Sequence, residues 1–164
     1  MSQLASQYHI NVEKGILAFG KKYKRFSKIC GSNVPIPINH PTKRMRPIHY
    51  HPDVHFITKV GKRYIFEVLD SELRDENLMI SDILLACLSP NTSKVIFIVP
   101  KPEDQVKVWD LIQPITDNLV SKGFHNKELP RLMATLYILR SEANTPESVT
   151  EVLINSAKDR GVTI

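Results

Sequence analysis

The sequence is poor in cysteine and has no long apolar run. Only two of its 164 residues are cysteines, Cys30 and Cys87, and they form no CxxC spacing. Isolated cysteines of this kind are typical of core residues in a reducing compartment, not of disulfides or zinc sites. No stretch reaches the roughly 18 apolar residues of a membrane span, and the first residues do not resemble a leader. The sequence therefore predicts a cytoplasmic, intracellular protein with no membrane partner.

The common phosphate-binding and nucleophile motifs are missing as well. The chain has no GxxxxGK[ST], no GxGxxG and no GxSxG, and it has six glycines in total. These motifs rely on glycine to let the backbone approach a phosphate or to expose a serine. Nucleotide-binding enzymes of the P-loop or dinucleotide type and serine hydrolases are therefore disfavoured.

Positive charge is concentrated near the N-terminus. Residues 1–48 contain nine Lys or Arg but one acid, Glu13, so the rest of the chain is net negative although the whole carries +5. Cations that neutralise phosphates gain affinity by releasing counterions, which makes nucleic acid the expected partner. A solvated helix face is the alternative explanation. Nucleic-acid contacts are predicted for Lys21, Lys22, Lys24, Arg25, Lys43, Arg44 and Arg46.

Hydrophobic spacing predicts an α/β chain with a mixed sheet and helices on its faces. The length favours a single domain over residues 1–164, which begins with a basic helix over about residues 8–29. The proline-rich segment 33–47 is expected to be a loop or an edge strand. The remaining predicted elements are a hairpin (53–59 and 63–70), a helix (73–88), a strand (94–100), a helix with a possible kink at Pro114 (103–122), a strand-like run (131–139) and a helix starting at Thr145-Pro146.

The hairpin brings carboxylates together. With a three-residue turn at 60–62, His55 falls opposite Glu67 and Asp53 opposite Leu69, which makes Asp53 and Glu67 diagonal neighbours on one face. A two-residue turn would shift the register by one and separate them. Two carboxylates and a backbone carbonyl are oxygen ligands suited to Mg²⁺ or Mn²⁺. The hairpin therefore predicts a divalent-cation site and phosphodiester hydrolysis.

A family resemblance follows from the same residues. Pro52-Asp53, thirteen further residues and then Glu67-Val68-Leu69, preceded by Tyr64-Ile65-Phe66 and followed by a helix and an apolar strand, resembles the PD-(D/E)XK nuclease superfamily. The likeness covers about residues 8–99 and is strongest to archaeal Holliday-junction resolvases. It implies a restriction-endonuclease-like fold and a metal-dependent endonuclease or junction-resolving nuclease that acts on DNA, expected as a homodimer.

The resemblance also implies roles for individual residues. Asp53 and Glu67 would be the catalytic acids that bind the metal, the carbonyl of Val68 would be a further ligand, and Glu13 would add an acid from the first helix. Leu69 departs from the family, which usually has Lys at this place to position the attacking water. Arg74, one turn into the next helix, is a candidate substitute, since Lys59 and Lys62 flank the hairpin turn; otherwise the site has lost its activity. If Leu69 shares the face of Glu67, Leu69→Lys is expected to remain folded.

Three other functions stay open. Without the lysine, the first alternative is a nuclease-fold protein that does not cleave and serves as a nucleic-acid-binding or assembly subunit. The alternation His49, His51, Asp53, His55 would suit a transition metal if all four shared one face, and it resembles the HxHxDH of metallo-β-lactamase-like hydrolases with one residue too many. A plain protein-interaction domain would need neither the basic region nor the acid pair.

Overall fold

The computed structural model describes residues 5–31, 34–39, 46–70, 75–123 and 128–164. The helices in these ranges are α1 (Gln7–Lys22), α2 (Glu76–Leu88), α3 (Pro102–Ser121), α4 (Leu129–Leu132) and α5 (Pro146–Ser156). The strands are β1 (Phe26–Gly31), β2 (Ile36–Ile38), β3 (Ile48–Tyr50), β4 (Val54–Thr58), β5 (Arg63–Val68), β6 (Thr92–Val99) and β7 (Met133–Tyr137). No helix in the described ranges is both long and apolar enough to cross a membrane.

The main sheet has the strand order β1-β4-β5-β6-β7. The first three strands are antiparallel neighbours, and β6 and β7 then run parallel to β5. β2 and β3 form a separate antiparallel pair. The predicted α/β class, with a mixed sheet flanked by helices, is therefore confirmed.

Two hydrophobic layers hold the sheet between helices. On one face, side chains such as Phe56, Phe66 and Ile96 pack with residues of α1 and α5. On the other face, Ile65 and Phe97 pack with residues of α2, α3 and the β2–β3 pair. β6 contributes buried side chains to both layers, which explains why its sequence is a continuous apolar run.

The predicted helix over 8–29 is too long. α1 ends at Lys22, and Phe26–Gly31 is strand β1 on the edge of the sheet. Phe26 fits the helical spacing of the preceding apolar residues, but its ring instead packs against Phe56 and Tyr64. Pairing with β4 supplies backbone hydrogen bonds in place of those that a longer helix would make, so tertiary contacts override the helical pattern.

The hairpin forms as predicted but in a different register. The Thr58 N–H donates to the Lys62 carbonyl at 2.8 Å, so the three-residue turn is 59–61, and Gly61 has the positive φ of 78° that closes it. Ile57 rather than Lys59 lies opposite Arg63, a shift of two residues. Because strand side chains alternate with a period of two, this shift leaves every residue on its predicted face.

The last helix and the helix with the internal proline follow the sequence. The Thr145 side chain accepts from the Ser148 N–H, with Pro146 in the first turn of α5, as the capping pattern predicts. α3 runs through Pro114 to Ser121. The predicted start of the helix at 73 lies outside the described residues, and the helix is seen from Glu76.

Close packing of α1 on α5 depends on Gly15. A Cβ at this position would lie 2.4 Å from Val149 Cγ1 and 2.9 Å from the Pro146 carbonyl oxygen. Gly15→Ala is therefore expected to destabilise the fold by a net amount of about 1–3 kcal/mol, because the steric overlap outweighs the gain in helix propensity of about 1 kcal/mol. Urea unfolding monitored by circular dichroism measures the change.

Gly61→Asn is the control for this substitution. Gly61 has open space around it, and asparagine tolerates its left-handed conformation, so the control should stay within about 0.5 kcal/mol of the native protein. A Gly15→Ala protein as stable as the native one would show that α5 can move away from α1 without cost.

Candidate metal centre

Several chain segments meet at one edge of the main sheet. The parallel strands β5, β6 and β7 all end there, and the antiparallel strand β4 begins there, directly after Asp53. In open α/β sheets this edge is where ligands usually bind, because loops rather than strands surround it. α1 reaches the same edge with its first turns, since His9 contacts Asp53.

Asp53 is held by two contacts. Its Oδ2 accepts a hydrogen bond from the Val68 N–H at 2.7 Å, and its Oδ1 lies 3.1 Å from His9 Nε2. In the observed register, Asp53 comes level with Glu67 on β5 instead of diagonal to it. The two carboxylates that the sequence pairs are thus neighbours, and the negative charge of Asp53 contributes to the raised pKa of Glu67.

Glu67 lies behind Asp53 and is 5% exposed. The Tyr50 hydroxyl donates a hydrogen bond to its Oε1. Burial raises the pKa of Glu67 well above its usual range, and the negative charges of Asp53 and Asp82 raise it further. In the protein alone Glu67 therefore favours its neutral form, and a nearby cation would favour the charged form.

His9 and Glu13 extend the group from α1. They are four residues apart, so they share one face of the helix, with His9 Nε2 3.9 Å from Glu13 Oε2. One donor atom each from His9, Glu13 and Asp53 lies within 4.8 Å of the others. Among the described residues, no other group of three or more His, Cys, Asp or Glu side chains has donor atoms this close together.

The donor chemistry of this group fits a divalent cation. Ligand bonds of about 2.0–2.2 Å place the donors of one ion roughly 3–4 Å apart, so the observed distances require only small side-chain rotations. An imidazole together with carboxylates suits Mn²⁺ or another transition metal, whereas Mg²⁺ prefers oxygen ligands alone. Asp53 belongs both to this group and to the predicted pair with Glu67.

Of the other residues predicted for the site, the structure describes Val68 and Leu69. Val68 contacts the site through its N–H, which donates to Asp53. Arg74 lies outside the described residues. Leu69 is 2% exposed and packs in the core on the α2 side, so no lysine-like group occupies this place.

The predicted nucleic-acid contacts divide into separate regions. Lys21, Lys22, Lys24 and Arg25 are exposed at the far end of α1, away from Asp53. Arg46 is exposed just before β3, whose last residue Tyr50 bonds Glu67. Lys43 and Arg44 lie outside the described residues.

The histidine alternation does not form a metal site. His49 and His51 are exposed near β3, which belongs to the smaller sheet. His55 is on β4 opposite Cys30 and is 2% exposed. Burial lowers the pKa of His55 to about 4, with a further lowering by Arg63 and Lys28. The break between β3 and β4 at 51–53 separates these side chains, so they are not on one strand.

Three residues of the site escaped the sequence argument: His9, Tyr50 and Asp82. A histidine four residues before an acid on a helix is a recognisable ligand spacing, and it marks His9 together with Glu13. Tyr50 and Asp82 had no local signal, because their relation to Glu67 depends on how β3 and α2 pack on the sheet.

Comparisons with family models, with curated proteins and with solved structures found no match.

Proposed function

We propose that this chain is a metal-dependent nuclease of the PD-(D/E)XK type that hydrolyses phosphodiester bonds in DNA. The observation that carries the proposal is the meeting of Asp53 with Glu67 from the hairpin and with His9 and Glu13 from α1. The strand and helix order around these acids agrees with the arrangement that the resemblance implies. A homodimer remains a prediction of the same resemblance.

Each residue has a distinct task in this proposal. Asp53, His9 and Glu13 would hold Mn²⁺ or Mg²⁺, with Glu67 as the buried acid next to them. A cation at this place neutralises charge on a phosphate and lowers the pKa of a water molecule. The Val68 N–H fixes the orientation of Asp53, and the Tyr50 hydroxyl fixes Glu67. Positioned ligands lose little entropy on binding the ion, which favours affinity.

A non-cleaving nucleic-acid-binding subunit is the second candidate, and Leu69 favours it. A buried leucine cannot orient water or balance charge as a lysine would. Arg140, a basic residue near this edge, is engaged by Asp70 and packs over the Tyr8 ring. Incubation of the native protein with supercoiled and branched DNA and Mn²⁺ separates the candidates, because only the nuclease produces new DNA ends.

The metal preference provides a test that does not depend on cleavage. The native protein is expected to bind Mn²⁺ more tightly than Mg²⁺ in calorimetry, because an imidazole nitrogen favours the transition metal. His9→Gln should weaken Mn²⁺ binding by at least about tenfold and reduce the preference, since one ligand is lost. His49→Gln is the matched control, because His49 is exposed outside the group. Equal Mn²⁺ affinity in the His9 variant would remove His9 from the site.

A further inference from the structure

Six basic side chains gather at the end of the sheet opposite the carboxylates. We call this set the hairpin-end surface: Lys21 and Lys22 in the last turn of α1, Lys24 and Arg25 in the following turn, and Lys59 and Lys62 at the β4–β5 turn. The Lys59 N–H donates to the Arg25 carbonyl at 3.2 Å, which joins the two turns. The sequence predicts nucleic-acid contacts for only the first four of these residues.

The cations of the hairpin-end surface are available to a partner. All six are exposed. Four Lys or Arg residues elsewhere in the described ranges pair with acids, among them Arg140 with Asp70 and Arg160 with Glu142. None of the ion pairs in those ranges includes a residue of the hairpin-end surface.

One of these cations is also held in place. The Arg25 guanidinium lies 4.8 Å from the centre of the Phe26 ring and 5.4 Å from that of Tyr64. Cation–π contacts of this kind restrict the side chain without using its hydrogen-bond donors. Arg25 can therefore still donate to a phosphate, and it loses less conformational freedom when it does so.

The length of β4 determines the distance between the hairpin-end surface and the carboxylate site. Five strand steps from Asp53 to Thr58, at about 3.3 Å each, amount to about 17 Å. Along one strand of a duplex, with about 3.4 Å per nucleotide, this corresponds to about five base pairs. α1 covers part of the same distance, and its exposed Lys14 lies about two turns before Lys21 on the same side.

We propose that the hairpin-end surface binds the backbone of a nucleic-acid duplex about five base pairs from the position that faces Asp53. The identification of the partner as nucleic acid rests on the proposed function, whereas the binding itself needs neither metal nor cleavage. Recognition through phosphates is independent of sequence. Duplexes of the same length and different sequence should therefore bind with similar affinity.

A salt titration without metal tests this surface. Binding of a fluorescent duplex of about two helical turns is followed by anisotropy in EDTA at several salt concentrations. Replacing Lys21, Lys59 and Lys62 together by Gln is expected to lower the slope of log affinity against log salt by about three. The control replaces Lys101, Lys122 and Lys158 by Gln, which are equally exposed and remove the same charge. The control should keep the native slope.

Two results would overturn the inference. If both triple variants lower the slope equally, net charge and not the hairpin-end surface governs binding. Val60, 83% exposed between Lys59 and Lys62, would also suit an anionic membrane. A hairpin-end variant that loses binding to vesicles of anionic lipid but keeps duplex affinity would assign the surface to membranes.

The outcome is separable from that of the nuclease proposal. Asp53→Asn without metal should bind the duplex at least as tightly as the native protein, since it removes a negative charge and no cation. If the native protein never cleaves but the hairpin-end variant still loses duplex affinity, the nuclease proposal fails and the surface stands. If cleavage occurs and the hairpin-end variant keeps full duplex affinity, the surface is wrong and the nuclease stands.

Discussion

Asp53→Asn is expected to abolish measurable Mn²⁺ binding and to lower metal-dependent DNA cleavage by at least about a hundredfold to a thousandfold. Asp53 is the residue common to both halves of the site, because it lies level with Glu67 across the hairpin and also contacts His9. Asparagine retains an oxygen that can accept from the Val68 N–H, so the fold should survive while the ligand charge is lost.

Asp53→Asn has a matched control on α3. Asp110→Asn makes the same chemical change on the exposed side of α3 and should leave both quantities unchanged. Adding Glu67→Gln to Asp53→Asn should have little further effect, because residues that act as one unit are not additive. Unchanged Mn²⁺ affinity in Asp53→Asn would place the cation elsewhere in the protein.

Leu69→Lys is expected to destabilise the protein by about 3–5 kcal/mol. Leu69 is almost fully buried with Ile65, Met79 and Ile83, so the substitution loses apolar packing and places an ammonium group in the core. This reverses the expectation drawn from the resemblance alone, in which a lysine at 69 is tolerated. The free energy of unfolding in urea gives the magnitude.

Two further variants separate the effect of side-chain volume from that of the buried charge. Leu69→Met keeps the side-chain volume and should cost less than about 1.5 kcal/mol. Leu78→Lys introduces the same charge at a residue that is half exposed on α2 and should be nearly neutral. A Leu69→Lys protein as stable as the native one would require Glu67 to neutralise the ammonium. Increased cleavage in that protein would then support the lysine role in the nuclease family.

Leu69 is buried, and Asp53 and Glu67 are nevertheless neighbours. A register error of one residue would have placed Asp53 and Glu67 on opposite faces of the hairpin. The observed error is two residues, from a turn at 59–61 instead of 60–62. An even shift keeps Asp53 and Glu67 on one face and brings them closer.

Local patterns in the sequence were sufficient for most of the elements. The hairpin strands, β6, α3 and the capped start of α5 all have signals within a few residues, such as alternation, a short apolar run or a Thr-Pro cap. Those signals reflect propensities and side-chain periodicity, which do not need distant partners. They also placed Asp53 and Glu67 on one face of the hairpin.

What remained was decided by contacts between segments far apart in the chain. The end of α1 at Lys22 depended on β4 being available to pair with residues 26–31. His9 and Asp53 are 44 residues apart in the sequence, and they are neighbours because α1 packs across the sheet. Tyr50 reached Glu67 through the packing of the smaller sheet. A sequence pattern describes which side of an element is apolar, but the distance between two elements is a property of their packing, so only the tertiary structure could assemble the site.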